Sequence, residues 1–318
     1  MRSETEFVGR VFDLRVESDI VLPRLAAATG SESGVISVRR GQVPVEDTVN
    51  HQHPKAYFRG EASSLWMAIP DVARIHVHGG QAIVYDPAPG ADLDTVMLFL
   101  MGSGLGALMI QRQMLVLHAN GIEIGGKAVL CMGRSGIGKS TLAGAFARAG
   151  YRLFADDVCP INDQGLLQPG AATIKLWDTA AAHFQIDTAS LRQIQPSQQK
   201  FDYPVEQHLA DAPLPVGLMV ELAVHDSDGF HVERITGSRT YSILRANSYR
   251  FEYVAAMGQL ARHFDACARV ANRVPIIRVT RPASGMDLSG LMGVIVEAAH
   301  DILSEQDEAD LVTAKTKP

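Results

Sequence analysis

The sequence predicts an α/β protein in which a smaller β-rich N-terminal region precedes a phosphate-loop domain. Three observations predict it. Residues 133–140, Gly133-Arg134-Ser135-Gly136-Ile137-Gly138-Lys139-Ser140, fit G-x-x-x-x-G-K-[ST], the phosphate-binding loop of nucleotide-handling proteins. The apolar run 127–132 before the loop reads as a buried strand, and 141–149 after it as a helix stopped by Gly150, which is the context the motif requires. Within residues 1–90, short alternating runs recur, as at 10–17, where Phe12, Leu14 and Val16 fall on one face and Asp13, Arg15 and Glu17 on the other.

The elements follow in order. Further short strands are expected at 35–40 and 82–85, and the Pro-Ala-Pro-Gly run at 87–90 marks a boundary. Asp92 or Asp94 is placed to cap an apolar helix reaching about Gln113. Its uncharged core, 96–110, is shorter than the roughly 18 residues that span a bilayer, so it reads as a buried helix. Gly102-Ser103-Gly104-Leu105-Gly106 mimics a dinucleotide loop, but no strand precedes it, and small residues for close helix packing explain it better. Apolar strands at 115–124 and 127–132 flank Gly125-Gly126, a hairpin signal. A strand at 151–154 runs into Asp156-Asp157, and 185–215, rich in Gln and Pro, reads as a long loop. Strands at 216–224 and 230–235 with a turn at 226–229, helices at 241–247 and 253–270, a buried strand at 274–279 and a helix at 288–303 complete the chain. The division is therefore 1–90, 91–304 and a polar tail, 305–318, expected to fray.

Composition narrows the functional classes. Of 318 residues 47% are hydrophobic and 20% charged, ordinary for a soluble globular protein, and the net charge of −6 argues against a nucleic-acid partner. Arg2, Glu4 and Glu6 interrupt any apolar signal core at the start, and no membrane partner is indicated. The three cysteines, Cys131, Cys159 and Cys267, are too widely spaced for a metal or disulfide pattern, which fits a reducing cytoplasm. His51/His53 and His76/His78 each set two imidazoles on one strand face, but a third ligand at fixed spacing is missing.

The chemistry resides in a few residues. The loop glycines let successive N–H groups face phosphate oxygens. The helix N-terminus and Lys139 supply positive charge, and the Ser140 hydroxyl is suited to Mg²⁺. Phosphoryl transfer also needs a metal and a proton acceptor. Asp156-Asp157, at a strand end seventeen residues after Lys139, can supply both, one carboxylate facing the metal and the other the acceptor hydroxyl. His118 precedes Lys139 by twenty-one residues, and the residues alone leave it between a satisfied core histidine and a phosphate neighbour. Arg239, Arg245 and Arg250 are candidate cations for the transferring group, while Trp66 and Trp177 read as core or groove residues.

From Leu117-His118-Ala119-Asn120-Gly121 through the loop to Arg152-Leu153-Phe154-Ala155-Asp156-Asp157-Val158, the chain resembles the catalytic domain of HPr kinase/phosphorylase. The resemblance implies a P-loop kinase-like domain with a mixed sheet and flanking helices, ATP and Mg²⁺ as cofactors, and phosphorylation of a serine hydroxyl. It implies Asp156 as general base, Asp157 on the metal or phosphate side, Ser140 as Mg²⁺ ligand and His118 in support, with Thr141 completing the nucleotide site. Three departures stand out. Ser140-Thr141 replaces the family's Ser-Glu, its second signature is replaced by Gln168-Pro169-Gly170 to Ile174-Lys175-Leu176-Trp177, and the N-terminal region is unlike its regulatory domain. The chain is more similar to divergent members that act as lasso-peptide precursor serine kinases. That implies a peptide or protein partner presenting a serine, docked between the N-terminal region and 185–215. An HPr-type kinase/phosphorylase, a small-molecule kinase and a non-enzymatic nucleotide-binding regulator are the alternatives. The N-terminal region could instead serve self-association in a homo-oligomer.

Overall fold

A computed structural model describes residues 7–44, 57–195, 198–285 and 287–316. His51 and His53 lie outside them. The alternating runs near the start form seven strands: β1 (Phe7–Val11), β2 (Leu14–Ser18), β3 (Gly34–Arg40), β4 (Tyr57–Glu61), β5 (Ser64–Ile69), β6 (Ala73–His78) and β7 (Ala82–Pro87). They make one sheet in the order β1-β2-β3-β7-β6-β5-β4, parallel at β2/β3 and β3/β7 and antiparallel elsewhere. Alternation puts Leu14, Val16, Ile36, Val38, Ile75 and Val77 on one fully buried face.

That face is covered by the apolar helix, which runs as α1 (Leu93–Phe99), a π-helical turn (Leu100–Gly104) and α2 (Leu105–Gln111). Asp92 caps it, accepting from the N–H groups of Asp94 and Thr95. By length and composition this helix could cross a membrane, but 67% of its most apolar window is buried in the protein, against the N-terminal sheet. Its small residues serve packing. A Cβ on Gly106 would come within 2.5 Å of Tyr249 Cε1.

The second sheet carries the site. Its strands are β8 (Leu115–Leu117), β9 (Ala119–Ile124), β10 (Lys127–Met132), β11 (Leu153–Asp156), β12 (Cys159–Ile161), β13 (Leu166–Leu167), β17 (Leu214–His225), β18 (His231–Ile235) and β19 (Ile276–Pro282). A smaller sheet consists of β14 (Thr173–Trp177), β15 (Arg192–Gln195) and β16 (Gln198–Pro204), in the order β14-β16-β15. β10, β17 and β19 run parallel, and β9 lies antiparallel between β10 and β11. Gly125 and Gly126, with φ of 59° and 74°, make the tight turn from β9 to β10, the positive angles that an I′-type hairpin turn needs. Helix α3 (Lys139–Arg148) follows the phosphate loop and packs with α8 (Leu288–Thr316) on one face. On the other face lie α5 (Ser238–Ala246) and α7 (Leu260–Ala271), while α6 (Phe251–Ala256) joins the N-terminal core and α4 (Asp178–His183) follows β14.

Several expectations are corrected. The strand expected over 115–124 breaks at His118, because β8 pairs with β12 whereas β9 pairs with β10 and β11. The segment 185–215 is not a plain loop: it contributes β15 and β16, whose pairing is long-range and leaves no local periodicity to read. β17 and β18 are not hairpin partners, since β19 lies between them. The helix expected over 253–270 is two helices, interrupted where Gly258 takes φ 67°. The tail expected to fray continues α8 to Thr316.

Because Tyr249 fills the space that Gly106 leaves, Gly106→Ala is expected to lower stability by about 1–3 kcal/mol through overpacking. The urea midpoint is the measurement, and an unchanged midpoint contradicts the close-packing role.

Candidate functional site

The chain brings two distant stretches together through one strand. Asn120 of β9 is paired with Cys131 of β10 on one side and with Asp156 of β11 on the other. β10 and β11 therefore run the same way and end at the same edge, so the loop after Met132 and the carboxylates at 156–157 meet there.

The loop conformation depends on its glycines. Gly133, Gly136 and Gly138 have φ of 145°, 80° and 105°, angles that residues with a Cβ rarely adopt. A Cβ on Gly133 would also sit 2.9 Å from the Leu222 carbonyl oxygen. Arg134, Ser135 and Gly136 are exposed, Ile137 and Gly138 half-buried, and Thr141 lies half-buried in the first turn of α3. No side chain caps α3, so its first-turn N–H groups are left to face the loop. Lys139 is buried, and its Nζ donates to the carbonyls of Gly133 (2.8 Å) and Arg134 (3.3 Å). Burial lowers its pKa, against the pull of Asp156 and Asp157. Arg281 of β19 braces the loop from below, donating to the Ile137 carbonyl at 3.1 Å.

The two adjacent carboxylates have different partners. Asp156 accepts from the Ser140 hydroxyl at 3.1 and 3.2 Å, from the Lys175 backbone N–H at 2.8 Å and from Asn120 Nδ2. Burial and the charge of Asp157 push its pKa up. Asp157 has φ 87°, strained for a residue with a Cβ, just past the end of β11 at Asp156. Its Oδ1 is 2.7 Å from His118 Nδ1, and its Oδ2 accepts from Lys175 Nζ at 2.9 Å. Burial would raise its pKa, but Lys175 and His118 outweigh that and hold the carboxyl well below the usual range. Burial lowers the pKa of Lys175, but Asp157, Tyr249 and Asp156 together outweigh it and raise it.

Asn247, at the end of α5, ties the loop to His118. Its Oδ1 accepts from the Gly133 N–H at 2.9 Å, and its carbonyl accepts from the His118 N–H at 2.7 Å.

The donor set suits a hard cation on the Asp156 side. Asn120 Oδ1 is buried with no hydrogen-bond partner, beside the carboxylate of Asp156 that also holds the Ser140 hydroxyl. One carboxylate, a hydroxyl and an amide oxygen form an all-oxygen set for Mg²⁺, which takes its remaining ligands from phosphate and water. Asp157, expected on the metal side, instead has both oxygens engaged by His118 and Lys175. Among the described residues no group of three or more His, Cys, Asp or Glu could hold a metal. His76 is stacked between Trp66 and His78, with ring centroids 4.5 and 4.8 Å away.

Among the described residues, none of the three arginines singled out by sequence makes a hydrogen bond or ion pair to the loop. Arg239 is held by Glu233 through both guanidinium nitrogens, at 2.6 and 3.1 Å. Arg245 lies over the Phe251 ring, and Arg250 lies over Tyr249 and Tyr253. Trp177 is exposed rather than core, with Lys200 Nζ 5.4 Å from its ring centroid. Sequence reasoning gave no role to Asn120, Lys175, Lys200 or Asn247. Asn120, inside the hairpin and two residues from His118, was the one with a readable signal.

No protein-family model matches the chain, and no curated protein matches it. Among solved structures it is similar to the Hpr(Ser) kinase/phosphatase from Coxiella burnetii, at 14% identity and a TM-score of 0.33, over 64% of this chain and 99% of that one. A likeness at that score carries no functional weight.

Lys175→Met leaves the half-buried Asp157 with His118 alone and is expected to cost about 1–3 kcal/mol, read as a drop in the denaturant midpoint. Asp157 adds a pH signature. Its folded pKa lies below the unfolded value of 3.8, so the stability it supplies is fully present above 3.8 and is lost as pH falls below it. The stability gap between wild type and Asp157→Asn is expected to be largest near neutral pH and to narrow below pH 3.8. A gap that is flat with pH contradicts the assignment.

Proposed function

We propose that the protein is a Mg²⁺- and ATP-dependent phosphotransferase that moves the γ-phosphoryl group to a serine hydroxyl of a peptide or protein. The observation that carries this reading is the junction itself. A Gly-rich loop with Lys139 meets Ser140–Asp156 on one side and the Asp157–His118–Lys175 cluster on the other. A protein that only binds nucleotide needs the loop, whereas a half-buried His–Asp pair beside it offers a route for proton transfer. The resemblance to HPr-kinase-like precursor-peptide kinases agrees with this and names the first acceptors to try. ATP rather than GTP rests on that resemblance.

In this reading, Mg²⁺ when bound neutralises phosphate charge, held by Ser140 and Asp156 with Asn120 Oδ1 in reach. Lys139 leaves the loop carbonyls for phosphate oxygens. Asp157 accepts from His118 Nδ1–H, which leaves Nε2 as the acceptor for the serine proton. The division of labour is thus the reverse of the one the resemblance implied, with Asp156 on the metal side and Asp157 acting through His118.

The acceptor approaches through a cavity of about 70 Å³ that reaches Asp156 and Lys175. Its other walls include Phe12 and Arg24 from the N-terminal region, Met97 and Met101 from the apolar helix, and Arg192 from the 185–215 segment. Convergence of these three segments on the cavity at Asp156 favours a peptide end or side chain over a free sugar.

Lys139→Ala removes a charge-assisted contact and is expected to cost about 1.5–3 kcal/mol of ATP affinity, roughly 10- to 150-fold. Calorimetry showing unchanged affinity contradicts the reading. His118→Ala and Asp157→Asn are expected to retain nucleotide binding while losing about 10²–10⁴-fold in turnover, whereas Asp156→Asn should raise the Mg²⁺ concentration needed. For the acceptor, protein, Mg²⁺ and ATP are incubated with precursor peptides, HPr and free hydroxy metabolites. Phosphate on a peptide serine, located by mass spectrometry, supports the proposal. Modification of HPr alone, or of a metabolite alone, establishes the corresponding alternative.

A further inference from the structure

Phosphoryl transfer at this site has one requirement still unmet. In the transfer the serine oxygen bonds to the γ-phosphorus and its proton passes to His118. The bond from the γ-phosphorus to the β–γ bridging oxygen breaks, and its electron pair leaves with ADP. Charge spreads over the equatorial and bridging oxygens, where a positioned cation acts most strongly. Lys139 serves the phosphates throughout, Lys175 is bound to Asp157, and Arg281 is bound to backbone.

The small sheet supplies another cation. In its register Lys175 is opposite Asp202, and Trp177 is opposite Lys200. Opposed residues share a face, as do residues two apart on a strand, so Lys200 projects from the same face as Lys175, one step along. Lys175 on that face reaches Asp157. Lys200 makes no ion pair among the described residues, and its ammonium rests over the exposed Trp177 ring. Such a contact at an exposed site is worth only about 0.5–1 kcal/mol, so the flexible lysine stem can leave it at little cost. The charge of Lys200 is also felt at the site, lowering the pKa of Lys139 behind the larger effect of burial and opposing the rise at Asp156.

We infer that Lys200 is a catalytic residue, swinging from the Trp177 ring onto the transferring phosphoryl group. This rests on the phosphotransferase reading, which places phosphate at the loop.

The test uses the full chain with Mg²⁺ and two probes: equilibrium binding of AMP-PNP, and slow hydrolysis of ATP with water as the acceptor. Lys200→Met and Lys200→Gln are expected to keep AMP-PNP affinity within about twofold and to lower kcat by about 10²-fold, with Lys200→Arg recovering part of the loss. Melting temperatures close to wild type in both variants exclude a folding defect. Unchanged kcat in both variants, measured against a wild type that hydrolyses ATP, overturns the proposal alone. So does a loss of AMP-PNP affinity as large as the loss in kcat/KM, which makes Lys200 a ground-state ligand. A wild type that neither binds AMP-PNP nor hydrolyses ATP removes the underlying reading as well.

Discussion

The site depends on the placement of β9. An antiparallel strand between β10 and β11 forces its two neighbours to run the same way, so a loop following one and carboxylates ending the other must share an edge. Asn120 sits at the crossing, paired with both neighbours in register and donating to Asp156. A one-residue slip of β9 would turn Asn120 to the opposite face. The opposite face has no room for it, since a Cβ at Gly121 would lie 2.5 Å from Leu167 Cδ2.

On this edge the protein concentrates charge. Asp157 and Lys175 are half-buried together, and taking such ions even partly out of water is costly unless the pairing is good. Lys175 meets both carboxylates, its backbone N–H serving Asp156 and its ammonium Asp157. The positive φ of Asp157 falls just past the end of β11, so the two adjacent carboxylates are not held to opposite faces of the sheet as they would be within a strand. Asn247 then couples the start of the loop to His118, so the phosphate side and the proton side are positioned by a single side chain and its own backbone.

The N-terminal sheet and the small sheet enclose this edge from two directions. The apolar helix, buried against the first, also contributes Met97 and Met101 to the cavity facing Asp156. β14 and β16 present Lys175, Trp177, Asp202 and Lys200 in two adjacent pairs. Both walls are assembled from segments far apart in the chain. Asp202 accepts from the Thr173 hydroxyl of β14 and is 3.6 Å from Arg24, so β14 and the N-terminal region meet at one buried carboxylate.

The local signals were legible in the sequence because they are written in neighbouring residues. The loop motif, the strand before it, the helix after it and the Gly125-Gly126 turn each rest on period, φ preference or spacing within a few residues. Asp92 as a cap and the small residues around Gly106 were readable for the same reason. What depended on pairing across the chain was not. Residues 185–215 hold β15 and β16, yet their partner is β14, and polar half-exposed strands leave no alternating pattern to detect. The break at His118 follows from a change of strand partner, and β19 parts β17 from β18 although they are neighbours in sequence. The sequence by itself determined that a phosphate loop opens a helix beside a pair of aspartates. Only the tertiary structure decided that Ser140 meets Asp156, that His118 and Lys175 meet Asp157, and that Lys200 stands alongside, because those contacts are set by register and backbone direction rather than by residue type.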